Sequence, residues 1–428
     1  MVVRSSTRSN EVTKRLAEHL IACNVYISVG RSKYASMLVR LLEDAQTQCA
    51  NLRGQAGGKR IVMVHAYADG PYNRSSFHLA GTPYSVASVA SRLARNATQA
   101  LVQLQPFQSN EDSMATWHPT VGLVDHIAVM PLVGHDGRQL EDGFSKEEMV
   151  ESGLELNSHD TTMPRWNVPS GWVARSLGHT MEKAGVDVLY YGMAHPDRLP
   201  LATVRRESTQ FFHALPHHDT TSSSTQTRPR QASAGKSTVG APPYFVENYN
   251  VRLSSHCQKE QARALSKRIR ARDGGLPGVE ALTLPYSANR WEVACNLTRP
   301  DLTTARDIQD VAKEWEKQQQ QQQQQQQKHR HRLVELGYRV GTNRWMCLEA
   351  LEKANDEDAA SQRDQEVREN FRTFLGCDAQ LIPNGGHGNR HLLATFHFQS
   401  FTITYLFLMN RGWYHDYIKC FASFLRLD

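Results

Sequence analysis

Apolar and polar positions alternate with two different periods along the first half of this chain. Ala22-Cys23-Asn24-Val25-Tyr26-Ile27-Ser28-Val29-Gly30 is a short run closed by glycine and predicts a strand. Residues 33–50 set Met37, Leu38, Leu41, Leu42 and Ala45 at helical spacing. Ile61-Val62-Met63-Val64-His65-Ala66-Tyr67 predicts a second strand, and the polar turn Asp69-Gly70-Pro71-Tyr72-Asn73-Arg74 leads into alternation over 75–81, so a hairpin is expected. From 83 to 105, Val86, Val89, Ala90, Leu93, Ala97, Leu101 and Leu104 share one face of a long helix. A buried strand follows at Ile127-Ala128-Val129-Met130, then a helix over 171–184 and a strand over 186–191 that closes at Gly192. Helices interleaved with strands and hairpins imply an α+β layered domain, not a doubly wound parallel one.

The pattern then breaks. Residues 213–243 are rich in Ser, Thr, Gly and Pro, and such composition cannot bury a core, so the stretch reads as a disordered linker. Order is expected again over 244–317, as a strand at 246–253, a helix at 257–272, strands at 279–284 and 291–297, and a helix at 303–317. This unit is small enough to need a neighbour to lean on. The run Gln318 to Gln327 reads as the end of the compact part, and 318–428 as a low-complexity, poorly ordered tail. The apolar span from Leu392 to Met409 carries His397, Gln399 and many aromatics, so a membrane-spanning helix is not expected there. The expected organisation is an extension over 1–19, subdomains over 20–212 and 244–317, the linker between them, and the tail. The fold class is two α/β-sandwich subdomains with mixed, largely antiparallel sheets.

Composition narrows the function classes. The net charge of +6 over 428 residues is mild and spread out, with no stripe of Lys and Arg interleaved with aromatics, which excludes a nucleic-acid groove. A slight basic excess suits an anionic small molecule. The 7 cysteines are scattered without a Cys-x-x-Cys, which argues against a disulfide framework and a structural zinc site, so no metal is expected. The first 20 residues lack an apolar signal region, and their Arg4, Arg8, Lys14 and Arg15 are offset by Glu11 and Glu18, so a cytoplasmic location is expected.

One histidine stands out chemically. In Trp117-His118-Pro119-Thr120-Val121-Gly122-Leu123-Val124-Asp125-His126, a loop hands an imidazole over to a buried strand. Pro119 fixes φ beside it, and Gly122 lets the chain or a ligand pass closely. Histidine titrates near neutral pH, and a rigid mount at a strand edge suits a general base. The same residues also fit a histidine that merely fills a turn.

Taken in order, Ser28-x-Gly30, Asp69-Gly70-Pro71-x-Asn73-Arg74-Ser75, His118-Pro119-x-x-Gly122-x-x-Asp125 and Tyr191-Gly192 resemble the formiminotransferase domain of glutamate formiminotransferase, also found fused in formiminotransferase-cyclodeaminase. Asn250-Val251-x-Leu253 and Lys259-Glu260-Gln261-Ala262 resemble its second subdomain, while the cyclodeaminase half has no counterpart here. The resemblance implies a transferase of one-carbon metabolism and histidine catabolism that moves the formimino group of N-formimino-L-glutamate to N5 of tetrahydrofolate. Its partners would be a folate, bound as a substrate between two subdomains, and a glutamate-derived small molecule; a homodimer stays open. His118 aligns with the catalytic base. Asp69, Gly70, Asn73, Arg74, Gly122, Asp125 and Gly192 would be the substrate-binding positions, with Arg74 gripping a carboxylate.

Three stretches depart from the family's pattern. Its Pro-Asn-Phe-Ser-Glu-Gly is Val25-Tyr26-Ile27-Ser28-Val29-Gly30, its Glu-His-Pro-Arg-Met-Gly is Trp117-His118-Pro119-Thr120-Val121-Gly122, and its Tyr-Gly-Glu is Tyr191-Gly192-Met193. Each change removes a polar or charged group, and a lost Arg costs an anionic substrate about 1.5–3 kcal/mol where it made a charged hydrogen bond. The alternative expectation is therefore a divergent folate-binding protein without turnover.

Overall fold

The computed structural model describes residues 19–55, 60–104, 118–132, 146–151, 154–156, 169–208, 235–286, 290–325, 331–376, 391–398 and 401–408. The chain divides into two compact units, Met1–Asp378 and Ala379–Asp428.

The first unit begins with a layer of strands β1 (Ile21–Ile27), β2 (Ile61–Asp69), β3 (Arg74–Gly81), β4 (Val124–Pro131), β5 (Asp187–Gly192) and β6 (Lys236–Ala241). Its helices are α1 (Ala35–Arg53), α2 (Pro83–Leu104), α3 (Lys146–Glu151), α4 (Pro169–Lys183) and α5 (Leu201–Ser208). The strands form one sheet in the order β2-β3-β1-β4-β6-β5. β6 runs parallel to β4 and β5, and the remaining pairs are antiparallel, so the sheet is mixed.

Strand periodicity divides the work of each strand between two faces. Ile21, Cys23, Val25 and Ile27 of β1 and Ile127 and Val129 of β4 enter the core shared with α1, α2 and α4. Asn24, Tyr26, His126, Ala128 and Met130 face the opposite side and line a cleft. The predicted face of α2 is buried from Val86 to Leu101, but Leu104 is exposed at the helix end.

A second, antiparallel sheet is built from β7 (Glu247–Leu253), β8 (Val279–Tyr286), β9 (Arg290–Leu297) and β10 (Val334–Val340), in the order β10-β7-β9-β8. Helices α6 (Lys259–Ile269) and α7 (Ala305–Gln325) bury Leu265, Ile269, Ile308 and Trp315 against it. The α+β class and the two sheets agree with the sequence expectation.

Two expectations change. The linker range 213–243 contains β6, whose Lys-Ser-Thr-Val-Gly-Ala is too polar and short to announce a strand; pairing on both sides with β4 and β5 makes it one. Residues 209–234 of that range lie outside the described residues.

The glutamine run does not end the fold either. Glutamine is a good helix former, and the amphipathic turns ahead of it supply the costly nucleus, so α7 continues to Gln325. Arg268 donates to Gln318 at 2.6 Å and ties the run to α6. Beyond it, β10 extends the second sheet, and α8 (Arg344–Lys353) and α9 (Glu357–Phe374) return to the first. Cys347, Ala350 and Leu351 of α8 pack on Ala22, Val62, Val64 and Ala80, while Phe371 of α9 packs on Phe77.

The second unit contains the antiparallel pair β11 (His391–Phe398) and β12 (Phe401–Leu408). The apolar span of the sequence analysis is therefore two short strands. Among the described residues no helix is long and apolar enough to cross a membrane.

Candidate functional site

A cleft of about 540 Å³ lies between the cleft face of the first sheet and the second sheet. The β2–β3 hairpin contributes Asp69, Tyr72 and Arg74 to its lining. Asp69 Oδ1 accepts from the Tyr72 backbone N–H at 2.8 Å, and the Gly70 carbonyl accepts from the Asn73 N–H at 3.1 Å. Asn73 takes a left-handed φ of +49°, which asparagine tolerates better than most residues. Its side-chain oxygen accepts from the N–H groups of Gly30 and Arg31, at 2.9 and 3.3 Å. Asn73 thus fixes the loop after β1, and Arg74 alone of the Asn-Arg pair lines the cleft.

Arg74 connects the wall to what lies beneath it. Its Nη2 donates to Asp125 Oδ2 at 2.6 Å. Arg205 of α5 donates to the same oxygen at 3.1 Å, and the Val121 N–H donates to Oδ1 at 2.7 Å. Burial alone would raise the Asp125 carboxyl, but Arg205 and Arg74 outweigh it and hold the group down at about 2. Asp125 is wholly buried behind the cleft wall and anchors two guanidiniums that face the cavity.

His118 lies against Arg74. Nη1 of the guanidinium is 2.6 Å from its Nδ1 and 2.8 Å from its Nε2. Nδ1 is also 2.8 Å from the Pro119 carbonyl, which can only accept. The Pro119 carbonyl assigns the proton to Nδ1, and in that tautomer Nε2 is the ring nitrogen that accepts from Arg74. Burial and the Arg74 charge push the imidazole well below its usual range, so it is neutral at pH 7. The edge of the Tyr72 ring packs on it, with centroids 5.4 Å apart.

Two predicted glycines serve the backbone. A Cβ on Gly122 would stand 2.0 Å from the Lys236 carbonyl oxygen, where the loop after His118 crosses the start of β6. Gly192 has φ +57°, and a Cβ there would meet the Ala241 carbonyl at 2.3 Å. Gly192 lines the cleft together with Asp69, Arg74 and His118; Gly70, Asn73, Gly122 and Asp125 support it from behind or beside.

Several lining residues carried no role in the sequence reading. His126 Nε2 is hydrogen-bonded to the Tyr191 hydroxyl at 2.9 Å, and Tyr26 stacks on His126 with centroids 5.3 Å apart. Tyr26 donates to Asn248 Oδ1 at 3.2 Å, joining the two sheets, and Asn248 donates to Asn296 at 2.7 Å. Asn24 Oδ1 is buried in the wall and has no hydrogen-bond partner among the described residues. The signal for Asn24, Tyr26 and His126 was present as polar or aromatic residues at alternate positions of apolar strands. Arg205 gave none, because α5 is short and mostly polar.

The second sheet contributes a buried carboxylate, Glu292. Its Oε1 accepts from Tyr72 at 2.9 Å and from Asn250 Nδ2 at 2.7 Å; its Oε2 accepts from Tyr338 at 2.7 Å, with Arg252 Nε at 3.4 Å. Burial raises its pKa against these donors. Among the described residues no group of three or more His, Cys, Asp or Glu side chains is arranged to hold a metal ion.

Comparison with known proteins bears on this geometry. Residues 20–242 match the pattern of the formiminotransferase domain, N-terminal subdomain. A formiminotransferase cyclodeaminase-like protein of Arabidopsis thaliana is 24% identical over 303 residues, covering 69% of this chain and 87% of that protein. Among solved structures, the periplasmic protease PqqL of Escherichia coli overlaps 83% of this chain at 10% identity with a TM-score of 0.16, and the chain spans 41% of that protease's length. A TM-score that low is no likeness of fold.

Proposed function

The chain belongs to the formiminotransferase domain family, whose chemistry is folate-linked formimino transfer, and from that premise we propose that the cleft moves the formimino group of N-formimino-L-glutamate to N5 of tetrahydrofolate. N5 attacks the amidine carbon, a tetrahedral intermediate forms, and the bond to the glutamate nitrogen breaks. The N5 proton must leave as the new bond forms, and the departing amine must gain one. His118 is the group proposed to carry it: Nε2 takes the proton from N5 and returns it to the glutamate nitrogen.

The observation that carries this reading is the neutral His118 held beside Arg74 in the cleft wall. A neutral imidazole is the form a base needs. Arg74 is the natural grip for a glutamate carboxylate, and transferring its donors from Nε2 to that carboxylate frees the ring lone pair. Asn24 Oδ1 supplies an unused acceptor for an N–H of the pterin. Holding both substrates in one cleft contributes the remaining rate advantage.

Binding without turnover is the second reading. It is favoured by the same contact, since Arg74 occupies the lone pair that a base requires. The full chain, titrated with tetrahydrofolate and then given N-formimino-L-glutamate, separates the two. Transfer that is lost in His118→Ala supports the enzyme. Folate binding with no transfer supports the second reading, and no folate binding overturns both.

A further inference from the structure

Tyr72 of the β2–β3 turn touches both His118 and the second sheet. Its ring edge packs on His118, with centroids 5.4 Å apart and planes at 79°, and its other neighbour is Tyr286 of β8 at 5.0 Å. Its hydroxyl donates to Glu292 Oε1 at 2.9 Å. Glu292 sits on β9, far from Tyr72 in sequence and wholly buried. It lies behind the residues that line the cleft.

The donors around Glu292 come from both layers. Tyr72 belongs to the first, and Asn250, Tyr338 and Arg252 to the second. Arg252 is stacked over Tyr286, 4.0 Å from its ring centroid, and donates to the Tyr338 hydroxyl at 2.9 Å. The carboxylate is therefore a fixed point of the second sheet. Of the contacts at the hairpin tip, the hydrogen bond to Tyr72 is the one that links this point to the wall of the proposed base.

We propose that Glu292, acting through Tyr72, is a positioning group for His118, so that the second sheet sets the orientation of the imidazole across the cleft. The ring of Tyr72 blocks rotation of His118 on one side, and the Pro119 carbonyl holds Nδ1 on the other. Loosening the phenol at Glu292 frees the restraint on the Tyr72 side while the contacts to Arg74 and the Pro119 carbonyl stay in place. The role rests on the transfer reading above, but the geometry of His118 can be measured without turnover.

The test uses the full chain with histidine labelled at the ring carbons and the His118 signal assigned by its loss in His118→Ala. Tyr72→Phe keeps the ring and deletes the donor; Glu292→Gln keeps the shape and deletes the charge. In each variant the His118 ring resonances are expected to shift, and kcat to fall about 10-fold with KM for tetrahydrofolate held within about 2-fold. The double variant is expected to fall no further than the worse single one, since both act on one contact. Unmoved His118 resonances in Tyr72→Phe overturn the proposal, even where the melting temperature drops. Additive losses in the double variant overturn it as well. If the wild-type chain proves to bind without transfer, the resonances decide alone.

Discussion

Arg74 reaches Asp125 at 2.6 Å with one guanidinium nitrogen while the other lies against the imidazole of His118. The pair spans the cleft wall: the guanidinium borders the cavity, and the carboxylate is wholly buried behind it. Arg205 shares the same carboxylate oxygen. One negative charge thus holds two cations at the cavity, and the excess positive charge faces the place where an anionic substrate would arrive.

Removing the anchor should be costly. Asp125→Asn leaves two guanidiniums with a weaker acceptor, and breaking a buried pair typically costs about 3–5 kcal/mol. The urea midpoint should fall accordingly, with folate binding weakened in the variant. A midpoint equal to that of the wild type would show that the pair does not stabilise the fold.

Removing the neighbour should make His118 more basic. After burial, the Arg74 charge is the largest influence holding the imidazole below its usual range. Arg74→Gln is therefore expected to raise the His118 pKa, read from its ring resonances across a pH series. The same variant should bind N-formimino-L-glutamate more weakly if Arg74 is the proposed carboxylate grip.

Acid should destabilise the fold as its buried histidines take up protons. His65, His78, His118 and His126 are all pushed down by burial, His65 to about 4 from an ordinary 6.5. The unfolded chain takes up these protons at higher pH than the native one. Stability is thus fully present above pH 6.5 and declines as pH falls from 6.5 toward 4. His65 alone accounts for roughly 2 kcal/mol at pH 5. Melting temperatures from pH 8 to 5 check the sign, and a flat profile would contradict it.

The crossing at Gly122 should not tolerate a methyl group. A Cβ there would overlap the Lys236 backbone, which cannot swing away as a side chain could. Gly122→Ala is expected to lower stability by about 1–3 kcal/mol and to reduce transfer, since the His118 loop is seated on this crossing. Gly70→Ala is the control, because nothing lies within 4 Å of the added carbon.

Ending the chain after Gln325 should do more than trim a tail. It strips α8 from Ala22, Val62, Val64 and Ala80, and removes β10 from the edge of β7. The shortened chain is expected to aggregate or melt at a markedly lower temperature, judged by size-exclusion chromatography and thermal unfolding.

Much of this was legible in sequence where one face of an element decides its character. The stripe from Val86 to Leu101 and the alternation of Phe77 and Leu79 foretold their elements because core burial dominates there. The His-Pro-x-x-Gly-x-x-Asp series brought His118 and Asp125 to the wall, yet it could not reveal that Asp125 serves two arginines. That relation depends on Arg205, 80 residues further on. At Asn73 the sequence could not show that the side-chain oxygen accepts from the backbone of Gly30 and Arg31. β6 and β10 were missed because partner strands create them, and α8 and α9 because the stretch after the glutamines is polar and mixed in composition.

The helical state of the glutamine run turns its length into a phase. Each residue of an α-helix advances the chain by about 1.5 Å and rotates it by about 100°. The returning strand is met by fixed points on this helix: Glu316 accepts from the N–H groups of Leu333 and Val334 at 2.6 and 2.8 Å, and Gln323 from that of His331 at 3.3 Å. One glutamine more or fewer redirects the exit around the helix while these docking points stay where they are. The number of glutamines is thereby set against the docking points of the returning strand, like a thread whose pitch must match its nut.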